Sequence, residues 1–104
     1  METKIKVPTV YIVNQSGHDT ESARTYGELR VLSKDKINVF ATDRIIAEFT
    51  EKMRDYNPKT DFILCSGSIV LNMIVMKIAL AHGAKNVNTL LYNFHLERYV
   101  VRSI

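Results

Sequence analysis

Two short segments concentrate residues able to hold a ligand or act on one: Asn14-Gln15-Ser16-Gly17-His18-Asp19 and Cys65-Ser66-Gly67-Ser68. Both contain a Ser-Gly pair, both follow an apolar run and both open a stretch of helical character. Glycine allows a backbone to approach a ligand closely. Free N–H groups at the start of a helix, reinforced by its dipole, favour an anion such as phosphate, and Ser66 and Ser68 add hydroxyl donors. This chemistry points to a nucleotide or another phosphate-bearing small molecule, with Asn14, Ser16, Gly17, His18, Asp19, Ser66, Gly67 and Ser68 as the binding residues. The competing reading is structural: Gly67 makes a tight strand-to-helix turn and Ser68 caps the helix. Neither segment has a dinucleotide fingerprint or a P-loop, because Gly67 lacks a second glycine at the required spacing and no lysine follows. No cofactor can therefore be named.

Catalytic signals are weaker. His18 beside Asp19 has the residue types of a general base and its partner, but adjacent side chains point apart, so the sequence does not orient the pair. His82 and His95 show no metal-ligand spacing, and no metal is expected. Cys65-Ser66-Gly67-Ser68 only loosely echoes a nucleophile elbow. Cys65 lies where a helix N-terminus could activate a thiol, yet a lone cysteine in the apolar run Phe62-Ile63-Leu64-Cys65 fits a buried small hydrophobe better. Arg24, Glu28 and Arg30 read as a solvated face rather than as part of a site. Whether the chain is an enzyme stays open.

The elements that would position these segments follow from hydrophobic pattern. Residues 7–14 are β-branched and aromatic, with Pro8 at the start, and read as a buried strand. Asp19 or Thr20 caps a short helix over 21–26 that Gly27 ends, and 28–32 reads as a second strand. Residues 37–40 are ambiguous between strand and loop. Thr42 or Asp43 caps a helix over about 43–56, in which Ile45, Ile46, Phe49, Met53 and Tyr56 form one stripe, with Asn57-Pro58 as its stop. Residues 61–66 form a run covered on both faces. Ser68 caps a helix over about 69–82, closed by Gly83 and apolar nearly all round. A small domain has difficulty burying such a helix alone, so a homo-oligomer, in the simplest case a homodimer, is expected. Strands over 87–92 and 98–101 form an antiparallel hairpin.

The order is an α/β one: a single domain over 1–104 with a small, three-layer, Rossmann-like and mostly parallel sheet, helices on both faces and an antiparallel C-terminal edge strand. The expected strand order is 2-1-3-4 with the last strand at the edge. In such sheets ligands bind beyond the carboxyl ends of the strands where the order reverses. Here that point lies between the first and third strands, where the two polar segments meet.

Bulk properties bound the alternatives. The chain has 104 residues, 46% hydrophobic and 24% charged, which is enough for one folded core. Its formal charge is +3, but the basic residues are scattered among acids and form no run, which disfavours nucleic-acid binding. One cysteine excludes an internal disulfide and fits a reducing compartment. The stretch 62–81 is interrupted by Ser66, Gly67, Ser68, Asn72 and Lys77 and is read as strand then helix rather than as a membrane span, so no membrane association is expected.

Residues 11–19, the later Tyr26-Gly27-Glu28-Leu29, the stretch Leu64-Cys65-Ser66-Gly67-Ser68-Ile69-Val70-Leu71-Asn72 and the ending Arg98-Tyr99-Val100-Val101-Arg102-Ser103-Ile104 together resemble a group of small uncharacterised proteins of viruses and phages. The resemblance carries no activity, so no residue role transfers with it. It implies a small accessory protein acting in a host cytoplasm. The residues themselves support two main expectations, a module binding a nucleotide or phosphate-bearing ligand at the loops after strands 1 and 3, or a non-enzymatic homodimer that occupies a host protein with its 69–81 helix as the interface. A third, minor one is nucleic-acid binding through the dispersed basic residues.

Overall fold

The structure, a computed structural model, describes residues 7–17 and 19–104. Five strands form one sheet: β1 Thr9–Ile12, β2 Glu28–Val31, β3 Phe62–Leu64, β4 Asn88–Asn93 and β5 Arg98–Ser103. Their spatial order is β2-β1-β3-β4-β5. The pairs β1–β2, β1–β3 and β3–β4 are parallel, whereas β4–β5 is antiparallel. The expected strand order and antiparallel edge are both present. Two α-helices, α1 Thr42–Lys52 and α2 Ile69–Ala81, and a 3-10 helix, Glu21–Thr25, connect the strands.

Alternation along β1 separates two cores, because successive strand side chains point to opposite faces. Tyr11 and Val13 pack with Ile45 and Phe49 of α1 and with Leu71, Ile74 and Val75 of α2, so both α-helices lie on one face. Val10 and Ile12 pack on the other face with Ala23 of the 3-10 helix, Leu64, Leu90 and Tyr99. That second face has no α-helix among the described residues. Five residues of 3-10 helix give it a thin cover, and this thinness shapes the cleft described below.

Several local expectations shift. The 21–26 segment is 3-10 rather than α-helical, and Asp19 Oδ1 accepts from the Glu21 N–H at 2.9 Å. Gly27 matters less as a helix stop than as a point of close approach: a Cβ there would collide with the Pro8 carbonyl, which accepts the Glu28 N–H at the start of the β1–β2 ladder. Residues 37–40 are not a strand; Asn38 Oδ1 accepts from the Phe40 N–H in a turn. Neither Thr42 nor Asp43 caps α1, since the cap position is Ala41 and has no side-chain bond. Helix α1 also ends at Lys52, short of 56; a turn over 53–55 follows, and Met53 and Tyr56 are both in the core. Ser68 caps α2 as expected, its Oγ accepting from the Val70 N–H at 3.1 Å. Among the described residues no helix is long and apolar enough to cross a membrane.

Tyr56 sits in this core with a buried hydroxyl that has no hydrogen-bond partner among the described residues. Burial, followed by the Asp61 carboxylate and Tyr11, pushes its phenol up to about 12 from 10.0. A phenol that ionises later folded than unfolded stabilises the fold fully below pH 10, and that contribution is lost as pH rises toward 12. We expect Tyr56→Phe to be neutral or stabilising by about 1 kcal/mol at pH 7, since an unpaired buried hydroxyl is removed. In denaturant melts the variant should also lose part of the stability drop between pH 10 and 12.

Candidate functional site

The loop after β1 and the loop after β3 are tied to each other. The Asn14 N–H donates to Ser66 Oγ at 3.1 Å, while Asn14 Nδ2 donates to Ser33 Oγ at 3.0 Å and to the Asp35 carbonyl at 2.9 Å. Gly67 packs against Asn14 so closely that an added Cβ would lie 2.6 Å from Asn14 Cβ, and its φ of +76° is one that L side chains rarely adopt. Asn72, one turn into α2, braces the second loop: its Oδ1 accepts from the Ser66 N–H at 3.2 Å, and its Nδ2 donates to the Ser66 carbonyl at 2.9 Å and the Ser68 carbonyl at 2.8 Å. Gln15 Nε2 donates to Thr20 Oγ1 at 3.2 Å, which closes the first loop on itself.

These loops form one wall of a cleft of about 550 Å³ at the carboxyl ends of β1, β3 and β4. Asn14, Ser16, Asp19, Thr20, Cys65, Ser66 and Gly67 line the polar side. Leu64, Leu91, Tyr92, Phe94 and Tyr99 line the apolar side. The aromatic rings meet edge to face, Tyr92 with Phe94 at 5.0 Å and Tyr92 with Tyr99 at 5.2 Å between centroids. Asn93 holds the hairpin that presents them, its Oδ1 accepting from the N–H groups of His95 and Leu96. Phe94 is nonetheless 78% exposed.

Of the residues singled out from sequence, Asn14, Ser16, Asp19, Ser66 and Gly67 border this cleft. Gly17 faces open space at φ +69°, and Ser68 is occupied as the α2 cap; neither borders it. His18 lies outside the described residues. The Ser66 hydroxyl already accepts from Asn14 and donates to the Leu64 carbonyl at 3.4 Å. Burial raises the Cys65 thiol above its ordinary 9.0, so it stays protonated near neutrality and is a poor nucleophile. Burial, then the negative charge of Asp19, also raises the Tyr99 phenol.

Arg24, Glu28 and Arg30 stay away from the cleft. Arg24 pairs with Glu21 in solvent, and the Arg30 guanidinium lies 5.6 Å from the Tyr11 ring centroid on the α-helical face. No group of three or more His, Cys, Asp or Glu able to hold a metal occurs among the described residues.

Sequence reasoning missed the aromatic wall because it read 93–97 only as a turn. The available signal was the i, i+2 spacing of Tyr92 and Phe94 in a hairpin with little cover. A family model for the phage Pam3 gp32-like protein matches residues 8–104. No curated protein and no solved structure matches the chain.

Proposed function

The chain belongs to the phage Pam3 gp32-like family, and we propose that it is a phage accessory protein that binds a small nucleotide-related ligand in the host cytoplasm. The observation that carries this reading is the position of the 550 Å³ cleft, at the carboxyl end of a β2-β1-β3-β4 parallel order and beside the β1–β3 junction. On this reading the sheet is a reduced Rossmann-like fold whose third layer has shrunk to the 3-10 helix. Ligands of such sheets bind where the strand order reverses. Aromatic rings opposite polar loops suit a flat heterocycle with polar substituents. In a thermal-shift assay with nucleosides, nucleotides and NAD, a ligand at 100 times its Kd should add about 2.7 kcal/mol of stability. Phe94→Ala, at an exposed position, should leave the unliganded melting point in place and abolish the shift. Absence of any shift in the unsubstituted protein would overturn the reading.

A second reading has its own observation. Ile69, Met73 and Leu80 are 75%, 65% and 62% exposed, and with Asn72, Met76 and Lys77 they line one shallow groove along α2. Ile69 and Leu80, Asn72 and Lys77, and Met73 and Met76 are pairs placed symmetrically about one midpoint of the helix. An antiparallel copy of α2 would therefore meet its own complement across a twofold axis. This supports α2 as a homodimer interface, compatible with an open cleft on the opposite face of the sheet. Sedimentation should show a dimer that Met73→Glu converts to monomer; a monomer before substitution would contradict it.

A further inference from the structure

We infer that the cleft selects the unphosphorylated form of its ligand, a nucleoside or comparable uncharged heterocycle, over the corresponding phosphate. This rests on the reading of the cleft as a binding site and narrows the class of what it holds. Among the described residues that line it, the only charged side chain is the carboxylate of Asp19. Asp19 and Tyr99 line the same cavity, and burial first, then the Asp19 carboxylate, raise the Tyr99 phenol. Ser66, the serine of the α2-side loop, is committed inside the protein: its N–H goes to Asn72 and its hydroxyl to the Leu64 carbonyl.

What the cleft offers instead is the wall of Tyr92, Phe94 and Tyr99, with Leu64 and Leu91 beside it. Base–aromatic stacking is indifferent to phosphate and tolerant of sequence. Asp19, exposed at the rim, can accept from a sugar hydroxyl or an exocyclic amine, but it repels a phosphate. The α2 dipole favours an anion, but that attraction must act against Asp19 and without a basic side chain among the described lining residues.

The test is calorimetric titration of the full chain with adenosine, guanosine, cytidine and uridine, each against its 5′-monophosphate and triphosphate. At least one nucleoside should bind roughly tenfold tighter than its monophosphate, and the triphosphate should bind more weakly still. Asp19→Asn retains the oxygen that accepts from Glu21, and it should narrow the nucleoside-to-monophosphate ratio toward one. Phe94→Ala should weaken all forms together. Equal or tighter binding of the phosphates, lost in Phe94→Ala, would overturn this inference while leaving the cleft as the site. Failure of every probe to bind, or binding unaffected by Phe94→Ala, would overturn both.

Discussion

Asp61→Ala should lower the melting temperature by roughly 15 °C or more, from a loss of about 4 kcal/mol. Asp61 is fully buried immediately before β3. Its Oδ1 accepts from the Thr9 N–H at 3.0 Å and from Thr60 Oγ1 at 3.1 Å, and its Oδ2 accepts from the Asn57 N–H at 2.9 Å. One carboxylate therefore joins the first residue of β1 to the turn that follows α1. Hydrogen bonds to a charged group contribute about 1.5–3 kcal/mol each, and a buried donor left without a partner costs about 1–3 kcal/mol. Alanine removes three bonds and strands two buried or half-buried backbone N–H groups. Asp61→Asn keeps one acceptor oxygen and turns an amide donor toward another donor, so it should fall between the two. Differential scanning calorimetry of the three proteins checks the order; a drop of less than about 5 °C for alanine would mean that water or backbone adjustment replaces the carboxylate.

Gly67→Ala should cost about 2–4 kcal/mol and should distort the cleft as well. Left-handed backbone penalises a residue with a Cβ by roughly 1–2 kcal/mol, and Gly67 has φ +76°. The added carbon would also lie 2.6 Å from Asn14 Cβ. Asn14 cannot retreat cheaply, because its side chain is held by Ser33 and Asp35 and its N–H by Ser66. Chemical denaturation measures the loss; a cost below about 1 kcal/mol would show that the two loops move independently. For the same reason, substitutions at Gly67 do not isolate ligand contact from folding, whereas Phe94 and Asp19 on the exposed rim do.

Much of this architecture is legible from sequence because the signals are local. The β-branched and aromatic run of β1, the stripe of α1, the Ser68 cap and the Gly83 stop of α2 each act within a few residues. So does the strand-helix order from which the β2-β1-β3-β4 arrangement follows. What escapes is set by distant partners. Asp61 reads as the edge of an apolar run, and only the approach of Thr9, 52 residues away, shows it as a buried acceptor. Asn72 reads as an interruption of an apolar helix, yet it braces the very loop it follows. Helix α1 ends at Lys52, before the Asn57-Pro58 stop that sequence marks, and a turn carries the chain on to the buried Tyr56. The cleft is half legible: its polar loops carry glycine and serine signatures, whereas its aromatic wall depends on where the β4–β5 hairpin folds over a thinly covered face.

The most direct test of the cleft as the binding site is amide chemical-shift mapping of the full chain titrated with adenosine and with guanosine. Saturable shifts concentrated at Asn14, Asp19, Ser66 and Gly67, and across Leu91 to Tyr99, are the predicted result. Shifts confined to α2 from Ile69 to Leu80, or no saturable shift with either nucleoside, would contradict it.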